Sequence, residues 1–289
     1  MVRQPVLGAA APAEPSAHVR GRGGPPSARR VLRRLAVTYG EPVLVVAVVL
    51  GLAELLSRTG VIAQEVLPPL SRVARAFADA VGEGSTWRAI GVSMEAWAIG
   101  LLLAVGVAVP AGILIGVSPR LHRLTWVAIN LLRPIPVVSA MPLLILVYGL
   151  GARMAVVLVL LSAIWPLLLQ AIYGVREVDP VARQMAVSYG LGRFMRFRLL
   201  VLPSALPSVA TGLRVAATIA LVLAVAASLV GGGPGLGSEI ANAAQAGAGD
   251  RMWALIFVTG LLGLLVTATF TRMEAYALRW HQSQRQGHR

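Results

Sequence analysis

The sequence predicts an all-α membrane protein with six transmembrane helices. Three observations lead there. Charged residues make up only 13% of the 289-residue chain and apolar residues 57%, with a mean hydropathy of +0.75. A soluble domain of this length carries about a quarter charged residues, so lipid is the expected solvent. The apolar residues gather into six runs, and a helix rising 1.5 Å per residue needs about 20 such residues to cross a bilayer. The basic residues, all arginine, are biased toward one set of connecting segments. The net charge of +14 would suit nucleic-acid binding, but the charges lie between long apolar runs, so no nucleic-acid partner is expected. The absence of Cys excludes disulfides and thiolate metal sites. His18, His122, His281 and His288 are scattered near ends and loops and are read as solvated or at headgroup level.

Residues 1–34 are rich in Pro, Gly, Ala and Arg and lack apolar periodicity, which predicts a disordered basic cytoplasmic tail. No cleavable signal peptide is expected, and Arg29-Arg30 is read as a cytoplasmic anchor for the first helix. A transmembrane domain over 35–275 follows, then a cytoplasmic C-terminal tail over 276–289. The expected spans are Leu35–Leu56, Ala96–Val117, Leu124–Gly151, Met154–Val175, Val215–Ser238 and Met252–Thr271. The first is narrowed by Glu41 and Glu54, and the third is too long for a simple crossing. Between the first two, the mixed-charge stretch Ser71–Val81 reads as a helix lying on a membrane surface or as a solvated loop helix.

With the N-terminus inside, the cytoplasmic segments hold 18 arginines and the outer ones six, leaving Arg133 and Arg214 in spans. The positive-inside bias therefore places both termini in the cytoplasm of a multi-pass inner-membrane protein. Proline interrupts several spans: Pro110, then Pro134, Pro136 and Pro142 together, then Pro166. Each removes a backbone donor. Membranes tolerate this where neighbouring helices or a wet cavity satisfy the freed carbonyls. Three prolines in the third span, Pro136 and Pro142 among them, favour a pathway wall over an ordinary kink.

The segment 176–203 is long for a membrane hairpin and is basic, yet Val181, Met185 and Tyr189 recur at helical spacing before Gly190 and Gly192. Two short amphipathic helices joined by a Gly turn are predicted, with an apolar ridge that needs a partner. A headgroup-lying basic segment is the competing reading. In the fifth span Gly212, Ala216, Ala220, Ala224, Ser228 and Gly232 fall every four residues. Such a face lets helices approach closely, either inside one subunit or at a subunit seam or pathway.

The loop resembles the cytoplasmic EAA loop of binding-protein-dependent transport permeases. Gln184-Met185-Ala186 is followed by Gly190, and the run closes at Leu202-Pro203. Gln184 and Met185 replace the family's Glu and first Ala. Arg133-Pro134-Ile135-Pro136, Met141-Pro142 with the four residues after it, Gly149-Leu150-Gly151, Gly212-Leu213-Arg214 and Gly235-Leu236-Gly237 are similar to the aliphatic sulfonate, taurine and nitrate branch. The likeness covers about 70–280. Ser228 stands where that branch usually has an acid.

The resemblance implies a type I importer permease fold and a role as the membrane-spanning subunit of an ATP-binding-cassette (ABC) importer. The substrate it implies is a small sulfonate-, taurine- or nitrate-like anion. Two copies of a separate ATPase, which would hold ATP and Mg, are implied, with a second permease copy in a homodimer and an external solute-binding protein. No cofactor is expected on this chain. Met185, Ala186, Tyr189, Gly190 and Phe194, with Gln184 and Pro203, are the implied ATPase contact, Ala186 filling a groove on that partner. An ion-coupled secondary transporter is the alternative, but spans two, four, five and six lack mid-membrane ionisable groups. A membrane enzyme would need clustered catalytic groups, which are not found, and without Lys no phosphate-binding Gly-x-x-x-x-Gly-Lys loop exists.

Overall fold

The computed structural model describes residues 44–278, apart from 46–47, 61–63 and 65. The expected N-terminal tail, much of the expected first span and most of the C-terminal tail lie outside the described residues. The chain forms two compact units, 1–52 and 53–289. In the first, residues 44–45 and 48–52 are helical.

The second unit is all helix among the described residues. Residues 53–58 are helical, and then come an amphipathic helix, α1 (Leu70–Gly82), and a long helix, α2 (Gly84–Val117). α3 (Pro119–Leu132) leads through a 3-10 turn, Val137–Ala140, into α4 (Met141–Tyr148). α5 (Ala152–Arg176) is followed by the short helices α6 (Pro180–Ser188) and α7 (Arg193–Arg196). A π-helical segment, Phe197–Val201, joins α7 to α8 (Leu202–Gly231). α9 (Leu236–Gln245) and α10 (Gly249–Ala277) complete the unit.

Among the described residues four helices are long and apolar enough to cross a membrane: α2, α5, α7 fused to α8, and α10. The pair α3 and α4 is together long and apolar enough for one further crossing and is bent by 80° at the break between them. The break falls where Pro134 and Pro136 deny backbone donors, and Pro136 is extended at ψ 118°. The excess length of the expected third span is this bend. The amphipathic helix α1 packs its buried Val73 and Ala80 side against α10 instead of lying free on headgroups.

Three boundaries move furthest from the sequence reading. α2 starts at Gly84, before Ala96, because Arg88 and Glu95 end the apolar run without ending the helix. α8 starts at Leu202 instead of Val215, with Pro203 removing a donor just after the π-helical segment that precedes it. It stops at Gly232, a left-handed C-cap at φ 61°, so Ser238 belongs to α9.

α5 is the middle of the unit, with α2 on one side and α8 on the other. Its Leu158, Val159, Leu167 and Ile172 are fully buried. The α2 face that meets it is Gly100, Ala104, Ala108, Gly112 and Gly116, again every fourth residue, and a Cβ on Gly112 would lie 2.6 Å from Ala171 Cβ and 2.7 Å from the Leu168 carbonyl oxygen. The α8 face is Gly212, Ala216, Ala220 and Ala224. Lipid tails give no hydrophobic drive for helices to associate, so close van der Waals approach must supply it. Trp97 on α2 ties the layers by donating its indole N–H to the Ala217 carbonyl at 2.8 Å.

Ion pairs close one end of the unit. Arg251 makes a two-point contact with Glu83 at 3.1 and 2.8 Å, and Arg72 pairs with Asp250 at 2.8 Å. Hydrogen bonds from Arg251 and from the Ser85 hydroxyl hold the Glu83 carboxyl below its usual range. The α9 start is pinned at the same end: Ser93 Oγ accepts the Leu236 N–H at 2.9 Å and Ser228 Oγ accepts the Gly237 N–H at 3.0 Å.

Gly112→Val is expected to lower thermal stability in detergent, since overpacking a tight crossing costs about 1–3 kcal/mol. Gly106→Ala, which meets no atom within 4 Å, should melt like the parent; equal melting of both variants would refute the packing account.

Candidate functional site

The segment after α5 is built by local backbone chemistry. Asp179 caps α6, its Oδ1 accepting the Val181 N–H at 2.8 Å, and Pro180 occupies the first helical position. α6 ends in a paired turn: the Gly190 N–H reaches the Val187 carbonyl at 2.9 Å and the Leu191 N–H the Ala186 carbonyl at 3.0 Å. That closure needs a left-handed residue, and Gly190 supplies it at φ 70°. The predicted Gly reversal is therefore present. The second short helix is not free-standing, because α7 runs through the π segment into α8.

The predicted contact residues separate into two groups. Met185, Tyr189 and Phe194 are 58%, 83% and 73% exposed, with Val181 also exposed beside them. Gln184 is exposed and borders a groove with Arg176, Arg183 and Arg196. Ala186 is only 7% exposed. Its own chain covers most of it, which leaves Ala186 little surface to offer a partner. Pro203 is half-buried in the first turn of α8.

The small-residue ridge of the fifth span faces inward. Gly212, Ala216, Ala220, Ala224 and Ser228 are buried, and only Gly232 is exposed. A Cβ on Gly212 would lie 2.7 Å from Gln170 Cβ of α5. Ser228 is committed structurally, donating to the Val225 carbonyl at 3.0 Å while accepting from Gly237. The exposed side of α8 carries Val215, Ile219, Val222 and Leu229.

At the broken span, Arg133, Pro134, Ile135, Pro136 and Pro142 are all exposed. Arg133 closes α3 and has no acidic partner among the described residues, whereas Arg214 pairs with Glu274 at 3.4 Å. The Thr211 hydroxyl also donates to Glu274, at 2.8 Å. No group of three metal-ligating side chains exists among the described residues.

Sequence reasoning missed two features. The Gly100–Gly116 ridge repeats every four residues like the one on α8, and that spacing was its available signal. The other is a cleft of about 650 Å³ lined by arginines from both α3 and the loop. Its residues are far apart in sequence, so no local signal gathers them.

The pattern of the binding-protein-dependent transport system inner membrane component matches residues 108–276. The chain belongs to that family. Among its relatives, the taurine transport system permease protein TauC of Escherichia coli is 30% identical over 220 residues, covering 75% of this chain and 78% of TauC. The nitrate import permease protein NrtB of Leptolyngbya laminosa is 29% identical, covering 64% and 66%. The fold is that of a chain in the inward-facing MetNI methionine ABC transporter, with a TM-score of 0.59 at 18% identity over 66% of this chain and 95% of that one. This permease is thus an ABC importer subunit of the inner membrane and not an enzyme, and the matched region contains α5, the capped loop and α8, with only the last turns of α2.

Gly190→Val should destabilise the loop by at least about 1–2 kcal/mol, the cost of a left-handed β-carbon residue. Limited proteolysis between 185 and 195 reads this out. Gly190→Asn should be cut more slowly than Gly190→Val; equal rates in both variants and the parent would contradict the turn assignment.

Proposed function

We propose that this permease forms the pathway for a small sulfonate-, taurine- or nitrate-like anion, delivered by an external solute-binding protein and driven by a separate ATPase. In this reading the working unit is a homodimer with two ATPase copies, and the chain binds no cofactor itself. The arginine-rich connections, including the α6 loop, face the cytoplasm with both termini, and the transmembrane domain spans 35–275 with tails on either side.

The observation that carries ATPase docking is the exposed ridge of Val181, Met185, Tyr189 and Phe194 on a loop held rigid by its caps. Burying one large apolar side chain is worth about 1.5–3 kcal/mol. Water around four such side chains is a cost that a partner groove removes. Gln184 and Gly190 support the ridge, and Pro203 anchors the loop to α8. Ala186 contributes by packing inside the loop. Consequently Ala186→Glu would confuse lost docking with a broken loop.

The discriminating variant is Met185→Ser with Tyr189→Ser. It should insert and melt like the parent, yet bind the ATPase about 100-fold more weakly, from two lost burials. Undiminished co-purification of the ATPase and undiminished transport would reject the assignment. The mass of the purified complex would report the copy numbers in the same preparation.

Support for an anion comes from Arg133, a cation at the broken span without an acidic partner among the described residues. Ionisable groups at membrane depth usually face a wet cavity or a pathway. Pro136 and Pro142 hold that break open beside it. The fifth span would contribute Val215, Ile219 and Val222 to the pathway or seam, while its Gly212–Ser228 ridge holds those residues in place from behind. Arg133→Gln should reduce anion uptake in vesicles about tenfold or more, the worth of one charge-assisted hydrogen bond, with Arg133→Lys retaining part of it. Uptake of a labelled panel of taurine, an alkyl sulfonate, nitrate and a neutral solute that is unchanged by Arg133→Gln would remove this residue from the pathway.

A further inference from the structure

The cleft between the α2–α3 turn and the α6 loop is used by neither packing nor the proposed ATPase ridge. Arg120 and Arg123 enter it from α3, Arg183 from α6, and Arg193 and Arg196 from α7. No acidic side chain lines it, and none of the five makes an ion pair among the described residues. The Nε of Arg196 is buried without a hydrogen-bond partner. Five like charges around about 650 Å³ repel one another, and a buried unpaired donor is costly. An anion in the cleft offsets the repulsion and offers an acceptor to the guanidinium groups that line it.

Two observations identify the kind of anion. The cleft lies where α2 ends and where α3 and the fused α7–α8 helix begin, and the ends of apolar spans are where lipid headgroups are met. Its remaining wall is apolar, from Val117, Phe197, Leu200 and Val201. A free inorganic anion gains nothing from such a wall, whereas a phospholipid presents phosphate to the arginines and its glycerol and upper chains to the apolar side. An acidic protein segment is disfavoured by the loop's geometry. Arg183 sits two residues from both Val181 and Met185, about 200° around α6 from each, so the cleft opens on the side opposite the ridge.

We propose that this cleft is a binding site for the phosphate headgroup of an anionic phospholipid. The inference rests on the arginine-rich end being the cytoplasmic one, where anionic lipids attract basic clusters. Bound lipid would bridge α3 to the loop and fix the loop's angle to the spans.

The test is native mass spectrometry of the full-length permease in neutral detergent. It is titrated with cardiolipin or phosphatidylcholine, with excess inorganic phosphate as competitor. Cardiolipin should be retained over phosphatidylcholine and survive the phosphate. Arg120→Gln with Arg196→Gln should weaken cardiolipin retention about 25-fold, at about fivefold per arginine removed. Arg272→Gln, the same charge change at exposed α10 surface, should leave it unchanged. Arg120→Lys with Arg196→Lys keeps the charge and should keep most of the lipid, which separates headgroup binding from misfolding. Full displacement by inorganic phosphate would make the cleft a free-anion pocket and overturn the proposal. So would equal retention of phosphatidylcholine, or undiminished cardiolipin on the glutamine pair. Loss of ATPase binding in that pair with cardiolipin retained would instead make it a protein interface. The ridge variant Met185→Ser with Tyr189→Ser tests docking separately, so either idea can fail alone.

Discussion

Everything in this subunit depends on how closely α2 and α8 approach α5. Apolar side chains gain nothing from meeting one another in lipid, because the tails are equally apolar. Stability must come from packing density, and packing density needs small residues where backbones cross. Gly100, Gly112 and Gly116 on one side and Gly212 on the other leave no room for even a single added carbon. The large side chains of α5 then fill both grooves. That central layer sets the positions of both ends: the loop emerges directly from α5 and returns directly into α8.

The two ends are finished by different chemistry. At one, Glu83 with Arg251 and Arg72 with Asp250 join α1, α2 and α10 by paired charges. Two serine hydroxyls in the packed core seize the first amides of α9, using donors that any helix start leaves unsatisfied. Toward the other end Arg214 pairs with Glu274, but the five cleft arginines make no ion pair among the described residues, and the loop is ordered by backbone caps. The first end is internally complete, whereas the second presents unmet binding capacity, both apolar and electrostatic.

The all-helical membrane fold was legible because hydropathy reports lipid directly, and the matched family shows it. What hydropathy does not report is where a helix stops, which is why Arg88 and Glu95 concealed the first turns of α2. The bent span was foreshadowed by excess length and by Pro134 and Pro136. Gly190 was readable because one residue type alone suits its backbone angle. Ala186 was not, since the sequence says that a small residue is needed and leaves open whose atoms crowd it. The α2 ridge was hidden among many other alanines and glycines in an apolar run. Ser228 shows the same limit: its position was visible, but its partner, the Gly237 amide, became visible only with the turn beyond Gly232.

The absence of a break between α7 and α8 has a mechanical meaning. A continuous helix from Arg193 to Gly231 has 39 residues, hence a length of about 58 Å at 1.5 Å per residue. Such a rod acts as a lever. A swing of about five degrees at its base carries its far tip through about 5 Å. Its compliant stretch is near the base, where the π-helical Phe197–Val201 and then Pro203 and Pro207 interrupt the regular bonding ladder. A rod with its give confined to one end turns a small shift at the loop into a larger one at the far tip, with the π turn as its fulcrum.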